Sequence, residues 1–217
     1  MSKAQLEYWL ELHTTWRSPV TRRNALTTVF AAFEHAREHH SIQHSLKGFP
    51  KPGLKPRLHS LNCEEEQAIY KATDKPFRDF LFAAIHTGLR PFCELARLRV
   101  RDVEWQGKRM LWRVYSSKTK KTRKIPIRAE VANLLRQRLK TADQEAILLP
   151  NPQGRAWKKV TGVKRFREIK RILGWDLDPV RKNYSTYSCR HTFAHRLLAG
   201  YWNDGAGCTI ETLAELL

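Results

Sequence analysis

Three prolines and two glycines fall within twelve residues, KGFPKPGLKPRL at positions 47–58. Proline lacks a backbone N–H and fixes φ, so this stretch fits neither a helix interior nor a central strand. It predicts an extended, stiff connector. A boundary placed there leaves a short N-terminal part, residues 1–46, and a longer part, residues 59–217. The four basic residues of the stretch, Lys47, Lys51, Lys55 and Arg57, suit a strap along a phosphate backbone as well as a merely solvated linker.

The N-terminal part reads as helical. Leu6, Trp9, Leu10 and His13 recur at helical spacing, and Ser18-Pro19 has the form of an N-cap followed by proline in the first turn. Leu26, Val29, Phe30, Phe33 and Ala36 then mark one face of a second helix that runs to about His39. Two such helices bury too little surface to make a good domain alone.

Beyond the connector, Asn62 with Glu65 three residues on predicts a capping box. Pro76 opens another helix, with Phe77, Phe80, Leu81 and Ala84 on one face, ending near Thr87-Gly88. The middle changes period. Residues 109–116 and 123–128 are strand-like, with a polar turn between them and a short strand near Val103-Trp105 in front. Helices resume over 129–140, 160–173 and 188–199, and a last one begins at Thr209. The expected class is mainly α with a small antiparallel β-sheet, an α+β chain without internal repeats.

Charge narrows the function. Forty Lys and Arg against 21 Asp and Glu leave a formal net charge of +19. Such a surplus opposes compaction and is best understood with a polyanion as partner, nucleic acid first. Clustering strengthens this. Residues 99–128 hold eleven basic residues and two acids, and residues 155–182 hold ten and three. Trp112, Tyr115, Trp157 and Trp175 are interleaved there, either to stack on bases or, the better-favoured reading, to pack in the core. The four cysteines are far apart, no zinc-ligand spacing occurs, and no apolar run is long enough to span a membrane. These features predict a reducing cytoplasm, with no metal, cofactor or membrane partner.

Three basic residues stand in ordered contexts: Arg90 in HTGLRPFCELARL, Lys118 in YSSKTKKTRKIPI and Arg190 in TYSCRHTFAHRLL. In that order the segments resemble the tyrosine recombinases, also called phage-type integrases, over roughly residue 5 to the end. R-H-T-F-A ahead of a helix is the most specific piece. The resemblance implies a partial helical core-binding domain over 1–46, the basic linker, and a catalytic domain over 59–217. It implies a site-specific recombinase or integrase of a mobile element, acting on double-stranded DNA in a synaptic complex with other protomers, on the nucleoid of a bacterium or in a phage-infected cell.

The residue types make chemical sense of that resemblance. A phosphodiester in transfer gains negative charge on its non-bridging oxygens, and two Arg forks can clamp them. By resemblance Arg90 and Arg190 are that pair. The departing 5′ oxygen needs a proton, which a Lys on a hairpin can supply. Alignment puts this general acid at Lys118, with Lys120 and Lys121 as close alternatives. Lys51, Lys55, Lys120, Lys121, Arg123, Lys158, Lys159, Lys164 and Arg165 are the expected DNA contacts.

Three departures from the family pattern stand out. Tyr187 occupies the usual His position three residues before Arg190. A phenol can hydrogen-bond a phosphate oxygen but, with a pKa of about 10, is a poor base near neutrality. Glu94 lies four residues after Arg90 where the family spacing is three, as if one residue were inserted at Pro91-Phe92-Cys93. An Arg–Glu pair at i,i+4 on a helix would survive this. Finally, the sequence stops at TIETLAELL, with Ile210, Leu213, Ala214 and Leu217 on one apolar face, before the family's Gly-His and nucleophilic Tyr. None of the six Tyr fits the nucleophile's motif. The expectation is a fragment or truncated product that binds DNA without forming the covalent link. A non-catalytic, architectural DNA-binding protein derived from a recombinase is the alternative, and an RNA-binding protein a more distant one.

Overall fold

The structure, a computed structural model, describes residues 1–40, 42, 46–53, 59–117 and 119–217. Lys55 and Lys118 lie outside the described residues. Two compact units are present, Met1–Arg57 and Leu58–Leu217.

The first unit pairs helices α1 (Lys3–Leu12) and α2 (Pro19–His40). Ser2 and Gln5 form a reciprocal capping box that starts α1. Leu6, Leu26, Leu46 and Phe49 make its small core, with Trp9, Leu10, Val29, Phe30 and Phe33 packed against them. The proline-rich stretch therefore contributes packing as well as connection. Phe49 is part of the core, Arg23 donates to the Pro52 carbonyl at 2.9 Å, and the Lys51 ammonium lies 4.5 Å from the Phe30 ring centre.

In the second unit, α3 (Cys63–Lys71) begins at the expected Asn62–Glu65 capping box. Helix α4 (Lys75–Thr87) begins at Asp74, with Pro76 in its first turn. Its apolar face, Phe77, Phe80, Leu81, Ala84 and Ile85, is wholly buried. Strands β1 (Val103–Gln106), β2 (Arg109–Ser116) and β3 (Lys121–Ile127) form an antiparallel meander in the order β1-β2-β3. The last strand starts two residues before the expected position because Lys121 and Thr122 pair with Ser116 and Tyr115, which shortens the turn. Alternation along β2 sends Met110, Trp112, Val114 and Ser116 inward and leaves Arg113 and Tyr115 exposed.

Four helices follow: α5 (Ala129–Thr141), α6 (Lys159–Ile172), α7 (Thr186–Leu198) and α8 (Ile210–Leu216). Helix α7 packs against α4, which brings the two arginine-bearing segments of the sequence together. It starts two residues earlier than its apolar pattern suggests, because Ser185 and Ser188 cap it reciprocally. On α8 the inward residues are Leu213, Leu216 and Leu217, while Ile210 and Ala214 are exposed. The expected Ile210-Leu213-Ala214-Leu217 face is therefore rotated, with Leu216 docking on the core.

Trp112, Trp157 and Trp175 are buried, which decides for core packing over base stacking; Tyr115 stays open to solvent. A buried ion pair joins the helices behind the core. Arg196 of α7 meets Glu66 of α3 at 2.5 Å, and Tyr70 donates to the same carboxylate at 2.7 Å. Among the described residues no helix is long and apolar enough to cross a membrane.

Candidate active site

Helix α4 ends at Gly88, whose φ of +65° is the left-handed cap conformation that glycine adopts without strain. The chain then makes a wide turn. The amides of Glu94 and Leu95 both donate to the Arg90 carbonyl at 3.1 Å, and that of Ala96 donates to Pro91 at 2.9 Å. Two of these three bonds span five residues rather than four. This geometry would accommodate the one-residue insertion expected at Pro91-Phe92-Cys93. The Arg90–Glu94 pair forms, but on this turn and not on a regular helix as expected.

Glu94 is almost wholly buried and is the hub of the site. It accepts from the Arg90 amide at 2.9 Å and from Arg90 Nη1 at 2.7 Å. Arg123 of β3 grips it with both terminal nitrogens, Nη1 to Oε1 and Nη2 to Oε2, each at 3.1 Å. Arg190 of α7 approaches without bonding it; Nη1 stands 4.0 Å from Oε2. That nitrogen instead donates to the Gly88 carbonyl at 2.7 Å, and Nη2 donates to Leu217 O at 2.9 Å. Arg123 Nε donates to Leu216 O at 3.2 Å.

Three guanidinium groups thus gather around the Glu94 carboxylate, more cations than that one side chain neutralises. Their side chains keep 22% (Arg90), 19% (Arg123) and 14% (Arg190) of their surface open to solvent. Electrostatics register the crowding. Burial raises the Glu94 pKa, but the Arg123 hydrogen bonds, the Arg90 amide and the two adjacent cations more than reverse this and hold it below the usual carboxylate value. Burial and then the neighbouring Arg90 lower the Arg190 pKa. His191, next along α7, is lowered by burial and by Arg190.

Tyr187 is 42% exposed on the first turn of α7 and lies within electrostatic reach of Arg190. Lys120 takes a left-handed φ of 54° in the hairpin turn, and Lys121 is exposed at the start of β3. Lys158, Lys159 and Lys164 are exposed around the start of α6. Arg165 pairs with Asp74 at 2.6 Å and lies over Phe77 and Trp157. Arg123, expected as a DNA contact, is turned inward onto Glu94. The signal for this was present: it shares parity with Ile125 and Ile127, the inward residues of β3. Among the described residues no group of three His, Cys, Asp or Glu side chains gathers to hold a metal.

The phage integrase family model matches residues 59–206, most of the chain. The chain belongs to this family, the tyrosine recombinases. No curated protein matches it. Solved structures with the same fold include the Tn1549 transposon integrase in complex with circular intermediate DNA, at 19% identity and a TM-score of 0.73, with 100% of this chain and 76% of that chain covered. The XerH site-specific recombinase bound to difH substrate is 16% identical with a TM-score of 0.66, covering 100% and 63%. A lambda integrase tetramer bound to a Holliday junction is 14% identical with a TM-score of 0.74, covering 100% and 63%. The chain thus spans 63% to 76% of the length of these solved chains.

Proposed function

We propose that this chain carries the DNA-binding and phosphate-activating part of a site-specific recombinase or integrase. The observation that supports this most is the charge balance at Glu94: three guanidinium groups, one carboxylate and an open side. Holding more cations than Glu94 neutralises in a half-buried site is costly, by several kcal/mol per ion in an apolar setting. An anion relieves that cost. A DNA phosphodiester brings one negative charge and approaches two as a nucleophile adds to phosphorus. The site therefore favours the transition state over the ground state, which is the requirement for catalysis.

In this reading Arg90 and Arg190 clamp the two non-bridging oxygens, and Tyr187 donates its phenolic proton in a hydrogen bond to one of them. Lys118, with Lys120 and Lys121 as alternatives, protonates the departing 5′ oxygen. In the whole protein a Tyr attacks phosphorus, expels that oxygen and leaves a 3′-phosphotyrosine; return of the 5′ hydroxyl on the partner strand reverses the steps. Protomers paired on double-stranded DNA exchange strands. The exposed Lys120, Lys121, Lys158, Lys159 and Lys164, with Lys51, Lys55 and Arg165, supply non-specific contacts to the DNA backbone. This chain by itself binds duplex DNA without forming the covalent link.

A salt titration with duplex DNA tests the reading. Each neutralised phosphate contributes a slope of about −0.9 to log K against log salt, so five or more contacts give a steep line. A flat response would refute it. Incubation with a nicked DNA substrate, followed by a denaturing gel, should show no adduct; an adduct would mean that one of the six Tyr is the nucleophile after all. Arg190→Ala separates catalysis from mere binding in the full-length protein: loss confined to cleavage supports the clamp, and equal loss of all DNA affinity supports a purely architectural role.

A further inference from the structure

We propose that Arg123 is a positioning residue of the strand-transfer site, one that keeps Arg90 and Arg190 available to phosphate by saturating Glu94. The proposal rests on the reading of the site given above. It follows from an accounting of donors and acceptors. A buried carboxylate offers about four acceptor positions. In Glu94 these are filled by the Arg90 amide, Arg90 Nη1 and the two-pronged grip of Arg123. Arg190 is thereby left 4.0 Å from Oε2 and bonded to Gly88 O and Leu217 O instead.

Without Arg123 the two oxygens would each lose a partner in a buried setting. The nearest replacement donor is Arg190 Nη1, about an ångström beyond hydrogen-bond length. Closing that gap would turn the guanidinium away from incoming phosphate and tie its charge to Glu94 instead. Arg123 also acts along the chain. Its Nε is fixed to Leu216 O, its strand carries the hairpin, and it lies five residues after Lys118 in sequence. One side chain thus ties β3, the wide turn and the end of α8 together.

The test uses the full chain and inorganic phosphate as the probe, followed through the side-chain Nε–H signals of its arginines by NMR. In the wild type the Arg90 and Arg190 signals should shift on titration, while the Arg123 signal stays fixed. Arg123→Lys, which keeps the charge but loses the fork, should weaken phosphate binding about tenfold, the order expected when a clamping group is displaced by less than an ångström. Its salt slope with duplex DNA should match wild type, because no DNA phosphate contact is lost. An Arg123 signal that moves with phosphate, or a slope about one contact shallower in Arg123→Lys, would overturn the proposal in favour of direct contact. So would undiminished phosphate affinity in a folded Arg123→Lys. If neither Arg90 nor Arg190 responds to phosphate or duplex DNA, the functional reading fails instead. The wild-type titration decides even where the variant does not fold.

Discussion

Arg190 holds the end of another helix: its Nη1 donates to the carbonyl of Gly88, 2.7 Å away, at the left-handed cap of α4. The residue that binds phosphate in our reading is therefore aimed by the backbone that leads into Arg90. Gly88→Ala should disturb both. A Cβ there would lie 2.3 Å from a Phe193 ring carbon and 2.8 Å from a Leu217 methyl, in a backbone conformation that favours glycine. The expected cost is about 1–3 kcal/mol from backbone strain alone, read as a lower urea midpoint with unchanged slope. A weaker response of Arg190 to phosphate should accompany it.

A second glycine gives a sharper test of packing. Gly162 sits inside α6, where Ala would ordinarily stabilise a helix by about 1 kcal/mol. Here a Cβ would lie 2.4 Å from the Phe92 ring. Gly162→Ala should therefore destabilise the protein, and pairing it with Phe92→Leu should recover part of the loss. Chemical denaturation of the two single variants and the double variant measures the coupling. A stabilised Gly162→Ala would show that the ring moves aside freely.

The Arg196–Glu66 pair behind the core should behave as a buried charge pair. Arg196→Met leaves Glu66 buried with the Tyr70 hydroxyl as its remaining short hydrogen bond, and should cost about 3–5 kcal/mol. The double variant Arg196→Met/Glu66→Gln removes both charges and should be clearly more stable than Arg196→Met alone. Urea titrations at neutral pH compare the three proteins.

Acid should weaken the fold before the carboxylates titrate. His86 and His191 both have pKa values lowered from 6.5, His86 by burial against the partial opposition of Glu66, and His191 by burial and Arg190. A lowered pKa means that the unfolded chain binds the proton first. Stability is thus present above pH 6.5 and is lost as pH falls from there towards the folded-state values. Glu94, lowered from 4.5, adds a further loss below that value. Urea midpoints at pH 7 and 5.5 should differ, and His86→Gln should reduce the difference.

Much of this architecture was legible in local chemistry. The Asn62–Glu65 capping box, the Gly88 cap and the change of period at the hairpin all act over a few residues, so their consequences stay where the sequence puts them. The site was legible only in part. Arg90 and Arg190 announced themselves by their segments. The inward turn of Arg123 needed the parity of β3 to be weighed above its charge, and the 29 residues separating it from Glu94 hide their contact. The apolar pattern starts α7 two residues late, because Ser185 and Ser188 cap through side chains that also suit loops. The Glu66–Arg196 pair, joining α3 to α7, leaves no trace in any local pattern.

The meander has a consequence for how this protein can vary. Arg123 faces inward and Lys124 outward, paired across the sheet with Val114 and Arg113 respectively. A single residue gained or lost between Ser116 and Lys121 can be taken up in the tip. The same change inside β3 would exchange the faces of all the residues that follow it. The hairpin is in effect a blade on a keyed shaft: the fold tolerates a change in its reach, but not in its seating.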